Sequence, residues 1–263
     1  MNDWVVPNWP APAQVHALVT TRNGGLSAAP WHSMNLATHV GDAPRSIEQN
    51  RKRLQQHLVL HQGAVHPIQW LDQVHGTAVV EATSPTISAR HNQQPVKADA
   101  IITQQRRQPI AVLTADCLPV FFCDQQGTQI AVAHAGWRGL SAGILEQTAA
   151  RFACSTTQIM VWFGPAIGPN QFEVGDEVRS QMMAESPANA PLDAFFTPVN
   201  KRAGHWLADL YAIARAKLSA LGIEHIYGGD LCTVEQPEQF YSYRRDGQTG
   251  RMASVMVLSS PES

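Results

Sequence analysis

Residues 98–136 read ADAIITQQRRQPIAVLTADCLPVFFCDQQGTQIAVAHAG, four apolar runs separated by short clusters of Gln, Arg, Asp and Gly. The runs 98–103, 109–116, 118–124 and 127–136 are rich in Val, Ile, Phe and Ala and are bounded by turn-forming residues, the pattern of β-strands. They are nearly continuous in apolar character rather than alternating with polar residues. Such runs predict strands covered on both faces.

Working outward, VHALVTT (15–21) predicts a first strand that enters a turn at Arg22-Asn-Gly-Gly, where glycine permits positive φ. Asp42 followed by Pro44 marks a helix start, and Ile47, Leu54 and Leu58 give that helix an apolar stripe to about residue 60. The polar, nonperiodic stretch 84–98 predicts a surface loop. Beyond the GWRG turn, LSAGILEQTAARFA (140–153) has helical spacing, IMVWFGPAIG (159–168) reads as a strand entering a Gly/Pro loop, and a helix follows from Gly175. A stronger helix spans about 205–221, with Leu207, Leu210, Tyr211, Ala214, Leu218 and Leu221 on one face and a stop at Gly222. Strands around 225–233 and 253–259 close the chain. Without an internal repeat or a linker rich in Gly, Ser or Pro, the expected organisation is one α+β domain over residues 1–263.

Composition narrows the function classes. The formal net charge of −2 supplies no basic field for a polyanion, and the arginines are dispersed, which argues against nucleic acid as the main partner. No stretch approaches the ~20 apolar residues of a bilayer span, and residues 1–14 lack the features of a secretory signal, so a cytoplasmic protein without a membrane partner is expected. The four cysteines, Cys117, Cys123, Cys154 and Cys232, show no C-x-x-C spacing and are expected as free thiols or ligands in a reducing compartment.

Three residues carry the sharpest chemical reading. His75 in QVHG, Cys117 in TADC and His134 in AHAGWRG each lie at the edge of a strand-like run beside small or turn-forming residues. Two neutral imidazoles and a thiolate suit a zinc ion and leave the fourth tetrahedral position open, which is the arrangement of a catalytic site. Ordinary packing of three unrelated residues is the plainer alternative. Asp116, next to the cysteine, is a candidate proton carrier or orienting group. A metal-free Cys117–His134 hydrolytic pair remains open, because an imidazole can generate the thiolate nucleophile. So does a structural zinc module, for which Cys232 or Cys123 would be the fourth ligand.

Other signals are weaker. Gly139-Leu-Ser141-Ala-Gly143 matches G-x-S-x-G, but several residues separate Ser141 from the strand, which predicts a helical serine rather than a nucleophile elbow. No G-x-G-x-x-G or Walker-type loop is present. Arg22, Arg51, Arg138, Arg244, Arg245 and Arg251 are candidates for phosphate or carboxylate contacts, with surface solvation as the alternative for each. Asn35 and His39 are candidate polar contacts, and Phe172 and Tyr241, in loop segments, are candidates for stacking on a planar base.

The motifs TTRNGGLS (20–27), MNLATHVGD (34–42), NRKRL (50–54), WLDQVHG (70–76), ADAIIT (98–103), TADCLPV (114–120), AHAGWRGL (133–140), GPAIGPNQFEVG (164–175), CT (232–233) and FYSYRRDGQTGRMA (240–253) follow one another in order along nearly the whole chain. In this the sequence resembles the YfiH-like family, also labelled laccase-domain or polyphenol oxidase proteins and, in some bacteria, peptidoglycan editing factor. The resemblance implies an α+β fold of layered mixed β-sheets flanked by helices, an αββα-type sandwich, and a zinc ion held by His75, Cys117 and His134. It implies phosphorolysis of adenosine, inosine, guanosine and methylthioadenosine, with deamination of adenosine. Purine nucleoside and phosphate would then be the partners, with Arg22, Asn35, Arg51, Arg138 and Arg244 as substrate contacts. The alternative it carries is a hydrolase that removes misincorporated amino acids from cell-wall precursors. Copper fits less well, since the sequence lacks the H-x-H pairs of a trinuclear copper cluster. Oligomeric state is not legible in the sequence.

Overall fold

The computed structural model describes residues 3–82, 95–186 and 191–260. In chain order its first half holds β1 (Val15–Val19), α1 (Pro44–Gln62), β2 (Leu71–Asp72), β3 (Val79–Glu81), β4 (Val96–Lys97), β5 (Ala100–Thr103), β6 (Ile110–Thr114), β7 (Leu118–Asp124) and β8 (Ile130–Ala135). Next come α2 (Trp137–Ala142), α3 (Ile144–Ala149), β9 (Ile159–Phe163), β10 (Glu173–Gly175), α4 (Asp176–Ala184), β11 (Phe196–Pro198), β12 (His205–Ala208), α5 (Leu210–Ala220), β13 (His225–Gly228), α6 (Tyr243–Asp246) and β14 (Met252–Leu258).

The central runs occupy two different sheets. A six-stranded mixed sheet has the order β13-β9-β7-β8-β5-β3, and a three-stranded antiparallel sheet has the order β1-β14-β6. Along β7 and β8 the side chains alternate between two cores, as the two-residue period of a strand dictates. Val120, Phe122, Ala131 and Ala133 face a core shared with Leu140, Ile144, Leu145, Ile213 and Leu218 from α2, α3 and α5. Phe121, Cys123, Ile130 and Val132 face a second core, shared with Val15, Val19, Val112 and Met256 from the three-stranded sheet. The outer face of that smaller sheet places Leu18, Leu113, Val255 and Val257 against Leu54 and Leu58 of α1. The layers therefore run helix, sheet, sheet, helices. Each sheet is buried on both sides, which is why its strands read as continuous apolar runs.

Local departures have local causes. The expected helix over 140–153 starts earlier, at Trp137, and is broken into α2 and α3 at Gly143, whose φ of +99° no helical residue adopts. The helix expected from 205 starts at Leu210: His205–Ala208 is a strand paired with β10 and β11, and the Asp209 carboxylate caps α5 by accepting from the Ala212 N–H. Most of the loop expected over 84–98 lies outside the described residues, but Val96–Lys97 is β4, paired parallel with β2. Ser141 is buried in α2, its hydroxyl directed at the Gln181 carbonyl, as the helical reading requires. No helix among the described residues is long and apolar enough to cross a membrane.

Candidate metal centre

Strand register brings the site together. The antiparallel pairing of β7 with β8 sets Leu118 opposite Ala135. One step further, Cys117 comes opposite Gly136. The β5–β8 pairing sets Ala100 opposite Ala133, so Asp99 comes opposite His134, and the His134 N–H donates to the Asp99 carbonyl at 2.7 Å. His75 arrives from the β2–β3 connection in the left-handed region, at φ 59°, a conformation that needs external support in a non-glycine residue. Asp99 supplies that support: its Oδ1 accepts from the His75 N–H at 2.9 Å and its Oδ2 from the Gly76 N–H at 2.6 Å.

The ligand atoms of His75, Cys117 and His134 all lie within 4.8 Å of one another, with His75 exposed, Cys117 half-buried and His134 buried. Cys117 Sγ is 3.9 Å from His75 Nε2, and the two imidazoles meet edge to face with centroids 4.7 Å apart. His134 Nδ1 lies 2.8 Å from Asp99 Oδ1, leaving Nε2 as the ring nitrogen without that partner. This carboxylate–imidazole arrangement fixes ring orientation and raises ligand basicity, as is usual behind metal-binding histidines. Burial opposes charge on both Cys117 and His134, yet their mutual attraction outweighs it. The thiol comes down to about 6 and the imidazole goes up to about 9, the latter aided by Asp99. A thiol so easily ionised is ready to act as a ligand.

Gly136 leaves room for this cluster. A Cβ there would stand 2.9 Å from His75 Cδ2 and 3.1 Å from Cys117 Sγ. All three side chains line a pocket of about 360 Å³, whose wall includes His39, Gln73, Thr114, Tyr243 and Arg251. Gln73 is committed to the edge of β6: its amide donates to the Leu113 carbonyl at 2.8 Å and accepts from the Leu113 N–H at 2.7 Å. Tyr243 is 61% exposed, with the Arg251 guanidinium 5.7 Å from its ring centroid.

Of the other sequence candidates, His39 and Arg251 line the pocket, and several of the rest are held by contacts within the fold. Asp116, at φ 92°, accepts from the Thr233 hydroxyl at 2.6 Å and from the Arg244 N–H at 2.7 Å, so both carboxylate oxygens tie loops together. Arg22 donates to the His32 and Pro237 carbonyls, and Arg244 to the Gln171 and Glu173 carbonyls. The exposed Arg138 lies over the Trp137 ring. Asn35 is buried and bonded to Asp42, to Ala37 and to the Arg251 N–H. Arg51 donates to the Leu36 carbonyl and stacks on Trp70 behind the pocket. Phe172 and Tyr241 are buried, which leaves neither ring a free face for a base. All four cysteines are free, and the His-Cys-His cluster includes neither Cys123 nor Cys232. The sequence reading passes over Asp99. Its one linear signal is a carboxylate at the mouth of an apolar strand.

Residues 16–259 match the family described as multi-copper polyphenol oxidoreductase laccase. The chain is 46% identical over 258 residues to a purine nucleoside phosphorylase of Pseudomonas aeruginosa, covering 98% of this chain and 99% of that protein. It is likewise 46% identical over 259 residues to the purine nucleoside phosphorylase YfiH of Escherichia coli, covering 98% of this chain and 100% of that one. The crystal structure of Neisseria meningitidis protein NMB0706 superimposes with a TM-score of 0.88 at 42% identity, over 98% of this chain and 100% of its own.

Proposed function

The chain belongs to the multi-copper polyphenol oxidoreductase laccase family, and on that premise we propose that it is a zinc-dependent purine nucleoside phosphorylase that also deaminates adenosine. The observation that carries this reading is the convergence of His75, Cys117 and His134 on the wall of an accessible pocket. Full-length relatives named purine nucleoside phosphorylase supply the substrate class. Residues 1–263 act in this reading as one catalytic domain.

The donor set fits zinc. A tetrahedral ion with bonds of ~2.3 Å to sulfur and ~2.0–2.1 Å to nitrogen places those two atoms about 3.6 Å apart. The 3.9 Å between Cys117 and His75 closes to that value with a small side-chain shift. Copper is the poorer fit, because one cysteine and two histidines cannot build a trinuclear centre. When bound, zinc supplies Lewis acidity and a polarised water at the pocket wall.

The remaining work falls to the chain. A volume of about 360 Å³ is within the range of small-ligand clefts, ~300–1,000 Å³. At the rim the Arg251 guanidinium lies over one face of the Tyr243 ring, 5.7 Å from its centroid, and the opposite face of this exposed side chain is the one on which a purine stacks. In phosphorolysis a phosphate oxygen bonds to the ribose C1′ as the C1′–N9 bond breaks. Its electron pair leaves on the purine, and the proton of the hydrogen phosphate passes to the base. Holding nucleoside and phosphate together in a half-closed pocket lowers the entropic barrier to that displacement.

Incubation of the purified protein with inosine tests the reading. Ribose 1-phosphate and hypoxanthine should appear only when phosphate is present, and adenosine should yield inosine without it. Turnover unchanged by Cys117→Ala would remove the proposed centre from the reaction.

A further inference from the structure

The pocket has an electrostatic asymmetry that the metal ligands do not explain. Arg251 lines it, half-buried, and its guanidinium is fixed by two bonds from one nitrogen, to the Thr249 and Gly250 carbonyls at 3.0 Å each. Its backbone N–H is pinned at 3.0 Å by Asn35 Oδ1, and Asn35 is itself fully buried. Three arginines of the fold pair with carboxylates, Arg179 with Asp193, Arg202 with Glu173 and Arg245 with Asp246, and none of these lines the pocket. Among the described residues no carboxylate forms an ion pair with Arg251 or with Arg51. The acid beside the cluster, Asp116, has both oxygens occupied by Thr233 and Arg244.

His39 completes the group. It lines the same pocket, and burial together with the charges of Arg251 and Arg51 makes it harder to protonate, with Asp72 acting in the opposite sense. Burial also lowers the proton affinity of both guanidinia; at Arg251 it outweighs the charges of Cys117, Asp116 and Tyr243, which act in the opposite sense. Desolvated cations that no carboxylate pairs with directly are costly, and an anion bound between them offsets that cost. The remaining donors of Arg251 are held in a fixed fork, the geometry that suits the oxygens of phosphate.

We infer that Arg251 and His39, backed by Arg51, form an inorganic phosphate subsite beside the His75–Cys117–His134 cluster, with the nucleoside base directed toward Tyr243. This rests on the phosphorylase reading and assigns its second substrate a place. Arg251 and His39 touch the anion, and Arg51 contributes charge from behind while it stays bonded to Leu36 and stacked on Trp70. The subsite explains why Asn35, which lies outside the pocket lining, is buried next to it: it positions the Arg251 backbone.

Two measurements on the metal-loaded full chain test this: calorimetric titration with inorganic phosphate alone, and steady-state kinetics with inosine at varied phosphate. Arg251→Gln should weaken phosphate binding and raise the phosphate KM about tenfold or more, while the inosine KM moves less than about threefold. Arg251→Lys should recover part of the loss, and His39→Asn, a milder change, should weaken phosphate binding in the same direction. Phosphate affinity unchanged in both Arg251→Gln and His39→Asn overturns the subsite. If the wild-type chain binds phosphate through Arg251 but makes no ribose 1-phosphate, the subsite stands and the phosphorylase reading falls. If ribose 1-phosphate forms with a phosphate dependence indifferent to Arg251 and His39, the reverse holds.

Discussion

The Asp99 carboxylate lies 2.8 Å from His134 Nδ1, with both side chains almost wholly removed from solvent. The same carboxylate accepts the backbone N–H groups of His75 and Gly76, so one side chain holds two of the three candidate ligands in place. Burial pushes Asp99 toward its neutral form, but the His134 hydrogen bond and these donors win, and its carboxyl stays below its ordinary value.

Replacing Asp99 should therefore loosen the metal more than the fold. Asp99→Asn removes the charge behind His134 and should weaken zinc about 10–100-fold, measured by competition with a chromophoric chelator. Asp99→Ala also leaves the partly buried His75 and Gly76 N–H groups without their acceptor, at about 1 kcal/mol each, and should show a lower thermal midpoint as well. Zinc affinity unaltered in Asp99→Asn would separate this carboxylate from the metal.

Chelation should destabilise the wild-type protein and do nothing to a chain that lacks the thiolate. A ligand present at 100 times its Kd adds about 2.7 kcal/mol, which for a chain of this length is a midpoint shift of about 5–10 °C. The expected calorimetric result is a fall of that size on removing one metal ion per chain, reversed by zinc and absent in Cys117→Ala.

Gly136→Ala should act as a wedge. The added methyl would meet His75 Cδ2 at 2.9 Å and Cys117 Sγ at 3.1 Å, and Gly136 sits at φ −63°, where alanine is not strained. The expected outcome is a folded protein, by circular dichroism, that binds less than one zinc per chain. Full metal content in this variant would show that the cluster can shift without losing its ion.

Tyr243→Ala should raise the inosine KM about fivefold to tenfold, the scale of an aromatic stacking contact. The ring is exposed, so stability should move by no more than about 0.5 kcal/mol. Tyr243→Phe keeps the face and should behave like the parent in both assays.

The α3–α5 contact carries a further test. Lys217 Nζ is 2.8 Å from Glu146 Oε1, with the lysine 2% exposed. Glu146→Ala strands a buried ammonium and should cost about 3 kcal/mol in denaturant unfolding, whereas the double variant Glu146→Leu/Lys217→Met should be close to neutral. Equal losses in both variants would mean that the pair stabilises the fold through its charge.

Legibility in the sequence followed the range of each interaction. The strands of 98–136 and the helix after Pro44 were readable because burial periodicity is a local property. The helix boundaries at Gly143 and Asp209 depart from the periodicity because a single φ or a single cap decides them. In the sequence Arg51 is only one of six candidate anion contacts, and α1 packed on the small sheet is what sets its charge near His39.

By itself the sequence determined the strands, their two-sided burial and the identities of three candidate ligands, since these depend on residue type and on neighbours in the chain. Tertiary structure alone decided that the three ligands converge within 4.8 Å, that Asp99 holds the two histidines, and that Arg251 lines the pocket with no carboxylate paired to it. The reason is register. Pairing β5 and β7 with β8 sets Asp99 opposite His134 and Cys117 opposite Gly136, and residues 35 positions apart become neighbours only when backbone hydrogen bonds fix that alignment.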